Sequence, residues 1–344
     1  MKASPQNFSR LRPVWLYVTC ISFLFFYSGC KKIPDYLPTM HISTVASGLV
    51  SPMGLETDKN GNIWVCETGT ANNDGKVIVI KPTGEVYDAI VNLASISNAL
   101  SGEVQGPAHL LLDNGILYVL AGQYLYAVNV SYFKPGDSPI NAAKLPYEDI
   151  GSFSLSYPWV NNAHDTHPYN LTKGPDGDLY ISDAGANAII HRKSAGNYSV
   201  LAEIPGITNP LPVGPPQIQA VPTGILYDGH DFLVTTILGF PFPSGHALVY
   251  KVSRSGDVSV YQDGFTSLVD IAEGNSFGHL VLQFGIFGEQ GFEPNTGALV
   301  WANGRTPRQL AGGLNMPVGL KQINQRSWYI TSQGDGTLLK AAYY

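Results

Sequence analysis

Two imidazoles and a carboxylate fall within four residues at His164-Asp165-Thr166-His167, and an amide follows at Asn170. His109, Asp270, Glu67 and Asp183 add polar groups elsewhere, each beside an apolar strand-like run. Three chemistries compete for this set. A calcium ion takes about six to eight oxygens from carboxylates, amide carbonyls and waters, and Asp270, Asn170 and Asp165 begin such a set. Histidines suit a transition metal, or proton transfer near neutral pH, which makes His109 or His167 the candidate base. The third possibility is polar side chains that hydrate a water-filled channel. The chain has no Gly-rich phosphate loop, paired CxxC, HExxH or nucleophile elbow.

What brings these residues together is a repeat. Six segments begin alike, at Pro52-Met53-Gly54-Leu55, Pro107-Ala108-His109-Leu110, Pro168-Tyr169-Asn170-Leu171, Pro222-Thr223-Gly224-Ile225, Leu268-Val269-Asp270-Ile271 and Pro317-Val318-Gly319-Leu320. Their starts lie 55, 61, 54, 46 and 49 residues apart. Most are followed by a turn cluster such as Asp58-Lys59-Asn60-Gly61 or Pro175-Asp176-Gly177, then an apolar strand, a third strand and often a fourth. Four antiparallel strands in a unit of about 50 residues make a propeller blade. The sequence therefore predicts an all-β, six-bladed β-propeller with four-stranded antiparallel blades. The last unit reaches Tyr344 after its third strand, while His41-Ile42-Ser43-Thr44-Val45-Ala46-Ser47-Gly48-Leu49 matches the outer-strand exit Arg308-Gln309-Leu310-Ala311-Gly312-Gly313-Leu314. The N-terminal strand is thus expected to join the last blade and close the ring, leaving no long sheet edge.

In such a meander the first-to-second and third-to-fourth turns share one face, and all other connections share the opposite face. The first set reads as short, as in Pro82-Thr83-Gly84 and Arg254-Ser255-Gly256-Asp257. Long connections, Thr68 to Gly75, Ser131 to His167, Glu203 to Val221, Leu238 to His246 and Phe284 to Gly297, are assigned to the second, which predicts a ligand site there. The third position of the repeat is expected at the channel mouth on that loop face, bringing His109, Asn170 and Asp270 close to Asp165, His167, Glu67 and Asp183. Phe240 and Phe242, each followed by proline, read either as a stiff apolar wall for a ligand or partner, or as a loop packed on its neighbour.

The first 34 residues hold no Asp or Glu, carry Lys2, Arg10 and Arg12, and run apolar over the 14 residues from Val14 to Tyr27. That is short of the ~20 a membrane helix needs, so residues 1–29 read as a signal peptide. Tyr27-Ser28-Gly29-Cys30 resembles a bacterial lipobox, which makes Cys30 the lipidated residue, 30–39 a tether and 40–344 the propeller. Loss of the leader moves the net charge from −6 to −9, which argues against nucleic acid as a partner. With Cys20 in the leader and Cys30 acylated, Cys66 stands alone and no internal disulfide is available. The expected setting is the bacterial cell envelope, periplasmic or extracellular, with the chain a monomer held to the bilayer by its lipid.

The chain resembles the ScyD/ScyE family of secreted propeller proteins across nearly all of the part that follows the leader. The resemblance rests on Asp165-Thr166-His167-Pro168-Tyr169, on the run from Leu179 to Asn187, on Pro222-Thr223-Gly224, on Gly239-Phe240-Pro241-Phe242-Pro243 and on Phe265 to Asp270. It implies export and six blades, and names no catalytic residue. At greater distance the chain is similar to gluconolactonase and SMP-30 type propellers, which implies a channel-mouth divalent metal and lactone hydrolysis. Those propellers have a glutamate before the first-blade proline, where this sequence has Ser51. NHL-like and streptogramin-lyase propellers share the repeat style. Two expectations follow: a binding propeller for a small molecule or a partner protein, or a divalent-metal-dependent hydrolase.

Overall fold

The computed structural model describes Met1 and residues 40–98, 102–274 and 278–343. The leader, Cys30 and the tether lie outside the described residues. Six antiparallel sheets follow one another along the chain as blades, each built of four consecutive strands in most cases. Blade one runs Pro52–Thr57, Ile63–Glu67, Gly75–Ile80 and Val86–Leu93, and blade three runs Pro168–Lys173, Leu179–Asp183, Ala188–Ser194 and Asn197–Glu203. Blade six takes Pro317–Asn324, Ser327–Ser332 and Thr337–Ala342 from the C-terminal end and His41–Ser47 from the N-terminal end. The closing strand pairs from His41 with Ala342 to Ser47 with Thr337, so the ring closes as the sequence predicts.

The turns explain why each unit folds back on itself. Asp58 Oδ1 accepts from the amides of Asn60 (2.8 Å) and Asn62 (3.0 Å), and Asp228 Oδ1 accepts from His230 (2.8 Å) and Asp231 (2.9 Å). An aspartate that satisfies the amides of its own turn favours the turn over a continued strand. Blade two uses Asn114-Gly115 instead, both at positive φ (49° and 82°), which is the tight hairpin that matches strand twist. Apolar side chains then fill the spaces between adjacent sheets. Trp64, Val77 and Val79 of blade one, for example, share a buried cluster with Leu110, Leu117 and Val119 of blade two.

One local feature recurs in all six blades. The first strand slips register against the second within its opening residues, at Pro52/Leu55, Pro107/Leu110, Pro168/Asn170, Pro222/Ile225, Leu268/Asp270 and Pro317/Leu320. A bulge re-aims the side chain it carries, and here it carries the third position of the repeat. In four blades the residue just before the bulged strand, Ser51, Val221, Ser267 or Met316, is held at positive φ between 43° and 51°.

The connection at 131–167 departs from expectation. Residues 130–146 join the third and fourth strands of blade two and so lie on the short-turn face, not the loop face. Within them Ile140–Asn141 pairs in parallel with Ile90 and Val91, giving blade one a fifth strand that covers its outer edge. The outer strand of blade two is Tyr147–Asp149, followed by the helix Ile150–Ser156 capped by Asp149. A three-residue strand leaves no alternation to read, which is why the sequence hides it.

Candidate functional site

The third-position residues meet inside the channel, but beneath the loop face and not at its mouth. Above them Met53, Ala108, Tyr169 and Val318 pack with Ala184, Val221 and Phe284 into an apolar plug at the loop end of the channel. His109, Asn170 and Asp270 are each buried below it, at 4 to 6% exposure. Going down the strands, Leu111, Thr172, Lys321 and Gln322 are partly exposed and Glu273 is exposed, so the channel opens toward the short-turn face. It forms a cavity of about 310 Å³.

Asp270 ties three blades together across this channel. Its Oδ1 accepts from Asn170 Nδ2 of blade three (2.9 Å) and from its own neighbour's amide at Ile271 (2.8 Å). Its Oδ2 accepts from the Leu320 amide of blade six (2.7 Å). Burial pushes the carboxyl up to about 7, because the charged form loses its water, and the three N–H donors offset only part of that cost. Burial likewise drives His109 down to about 3, so its imidazole is neutral. Its Nε2 is buried without a hydrogen-bond partner, and its ring lies 5.3 Å from that of Tyr169.

The remaining predicted residues separate from this group. Asp165 and His167 line a second pocket, of about 400 Å³, on the loop face, together with His164, Glu103, Asn162 and Gln219. The calcium set Asp270, Asn170 and Asp165 is therefore not assembled, since Asp165 lines a different pocket from the other two. Asp165 Oδ1 accepts from Asn98 Nδ2 (3.2 Å) and the Thr166 amide (2.8 Å). Burial holds His167 below its ordinary value, although Asp183, Glu103 and Asp165 pull the other way.

Asp183 is fully buried and engaged on all sides: Ser154 Oγ and Thr166 Oγ1 donate to Oδ2 (2.7 Å each), and the amides of His167 (2.7 Å) and Ala186 (3.1 Å) donate to Oδ1. It braces the helix and the His167 loop, and has no group left for a ligand. Glu67 accepts from the Val50 amide at Oε1 (2.7 Å), and its Oε2 lies 3.1 Å from Lys76 Nζ in an ion pair. Phe242 packs on Phe287 (4.7 Å) and Phe292 (5.2 Å), while Phe240 stays 53% exposed at the edge of this aromatic cluster.

Sequence reasoning missed Glu103 and Asn98. They sit in the 94–106 link between blades one and two, a connection as long as those singled out, and its length was the signal available. Among the described residues no helix is long and apolar enough to cross a membrane.

No family model matches the chain, and no curated protein sequence matches it. Solved structures do match, and they share the propeller. An aldose sugar dehydrogenase from Streptomyces coelicolor, solved with PQQ bound, aligns with TM-score 0.60 at 15% identity over 90% of this chain and all of that one (100%). A protein assigned as a gluconolactonase aligns with TM-score 0.52 at 13% identity over 91% and 96% of the two chains. Virginiamycin B lyase from Staphylococcus aureus aligns with TM-score 0.51 at 13% identity over 89% and 100%. An oxidoreductase, a lactonase and a lyase on one scaffold carry the fold and leave the chemistry to the site.

Proposed function

We propose that this chain is an exported, lipid-anchored propeller of the ScyD/ScyE type that holds a small ligand on its loop face. The observation that carries this reading is the loop-face pocket of about 400 Å³, which lies within the ~300–1,000 Å³ range of small-molecule sites. Its lining brings two carboxylates, Asp165 and Glu103, two imidazoles, His164 and His167, and several amides, with no lysine or arginine among them. Acidic side chains in a pocket lining favour a positively charged guest, so the ligand class is a small organic amine.

The chain's path supports the orientation this needs. His41 enters the closing strand at the short-turn end of blade six, opposite the loops. An anchor attached through residue 40 would join the ring at the end opposite the loop face. The exposed Phe240, with Leu211, Val213 and Ile286 also exposed, adds an apolar rim on the loop face for a partner protein or for the apolar part of a ligand.

Calorimetry with a panel of small amines tests the reading. Binding that Asp165→Asn weakens supports it, and equal binding of amines and carboxylates by wild type and variant would sink it. Calcium and zinc belong in the panel. Saturable metal binding that Asp165→Asn and His167→Gln both weaken would move the reading toward the metal-dependent hydrolase.

A further inference from the structure

We propose that the central channel is a second binding site, open on the short-turn face, for a small neutral molecule rich in hydroxyl groups. This site is separate from the loop-face pocket, because the apolar plug stands between them. The inference does not depend on the loop-face reading.

The argument starts from an unmet requirement. A buried polar atom left without a partner costs free energy; His109 lines a cavity of about 310 Å³, and its buried Nε2 is such an atom among the described residues. A guest that supplies the missing hydrogen bond recovers that loss on binding. The other polar groups of the wall define what the guest must offer. A neutral imidazole carries one donor and one acceptor nitrogen, the Asn170 amide carries both kinds of group, and Thr172 contributes a hydroxyl of the same dual character. Asp270, with its carboxyl pushed up to about 7, exchanges between acceptor and donor near neutral pH.

A formally charged guest fits poorly. None of the buried wall groups carries a firm opposite charge, and the ion pair at the rim is already made, with Lys321 Nζ 2.7 Å from Glu56 Oε1. Taking a charge into a site without a partner for it is costly. Hydroxyl groups donate and accept at one atom, as the wall does, and carry no such cost. The partly exposed strand ends at the short-turn side give such a guest its way in.

Saturation-transfer NMR and calorimetry with glucose and erythritol, against methylammonium and acetate as charged comparators, test the assignment. Expected are millimolar or tighter binding of a neutral polyol, and about a tenfold or greater loss in His109→Phe, which keeps the ring and removes the nitrogen. Thr172→Val, a lining residue that is partly exposed and free of strain, should weaken binding as well. Asp165→Asn, in the other pocket, should leave it unchanged. Absence of polyol binding by the wild-type protein overturns the proposal. So does binding that survives both His109→Phe and Thr172→Val, or a preference for either charged comparator. If His109→Phe fails to fold, Thr172→Val decides.

Discussion

Replacing Asp270 by asparagine should make the protein's stability respond differently to pH, with the gap between wild type and variant widening toward acid. The folded-state carboxyl titrates at about 7 against an ordinary 3.8. Between those values the native protein holds a proton that the unfolded chain has released, so raising the pH through this window erodes stability. The slope is about 1.4 kcal/mol per pH unit, which over roughly three units gives about 4 kcal/mol. The contribution is present in full below pH 4 and gone above pH 7. Asparagine cannot titrate, so the variant lacks this slope. It also meets three N–H donors, from Asn170, Ile271 and Leu320, with one oxygen where the carboxyl had two. One donor is then left facing an NH₂ group, at about 1–3 kcal/mol. Urea unfolding of both proteins at pH 4.5, 6 and 8 measures the gap directly. A difference in stability that stays constant across these pH values would refute both the buried charge and the role assigned to it.

Other consequences are open to simple measurement. Deleting residues 40–49 removes the strand that covers Thr337–Ala342, and circular dichroism should show loss of the cooperative melt; an unchanged midpoint would contradict ring closure. Gly54→Ala places a methyl 2.5 Å from the His109 ring and 2.8 Å from the Ala108 carbonyl oxygen and should cost about 1–3 kcal/mol, of which a double-mutant cycle with His109→Ala should recover the part due to the ring. Cys66 is fully buried, with burial pushing its thiol up, so Ellman's reagent should find it only after unfolding; rapid labelling of the native protein would disagree.

The ring itself was legible because its signals are local and repeated. Six Pro-or-Leu strand starts, Asp- and Gly-bearing turns and the matched terminal strands each reflect a backbone requirement that recurs in every unit. Blade two resisted, because its outer strand is three residues long and follows a 17-residue excursion, 130–146, on the face expected to be short. Convergence of His109, Asn170 and Asp270 was also legible, from their shared repeat position. Depth along the channel was not. Whether a bulged residue sits at a mouth or under a lid depends on the residues around it, and the lid forms only when Met53, Ala108, Tyr169 and Val318, each one residue before the third position in its blade, meet across the axis. The surroundings of Asp183 and Glu67 were hidden for a related reason. A carboxylate at a strand end looks the same in sequence whether it faces a ligand or the amides of its own loop.

The asymmetry of the third position is itself partly a packing result, and that sharpens what counts as evidence of function here. Six inner strands crowd one axis, so six large side chains cannot all sit at the same height. A Cβ on Gly54 would lie 2.5 Å from the His109 ring, one on Gly224 2.7 Å from the Asp270 Cα, and one on Gly319 2.7 Å from Leu55 Cδ2. Gly54 therefore makes room for His109 and Gly224 for the backbone at Asp270, while Gly319 makes room for Leu55, so part of the pattern of glycine and polar residues would arise from sterics alone. Hydrogen bonding removes a further part of the argument, since Asp270 and Asn170 engage each other and the amides beside them. What packing and internal hydrogen bonding leave unexplained at this position is narrower: a buried imidazole nitrogen with no hydrogen-bond partner among the described residues. A scaffold that needed only stability would gain by replacing it with an apolar ring of the same shape. His109→Phe thus separates the two explanations in a single measurement: a rise in thermal midpoint together with loss of polyol binding marks a residue kept for a ligand, whereas a fall in midpoint with no change in binding marks one kept for the fold.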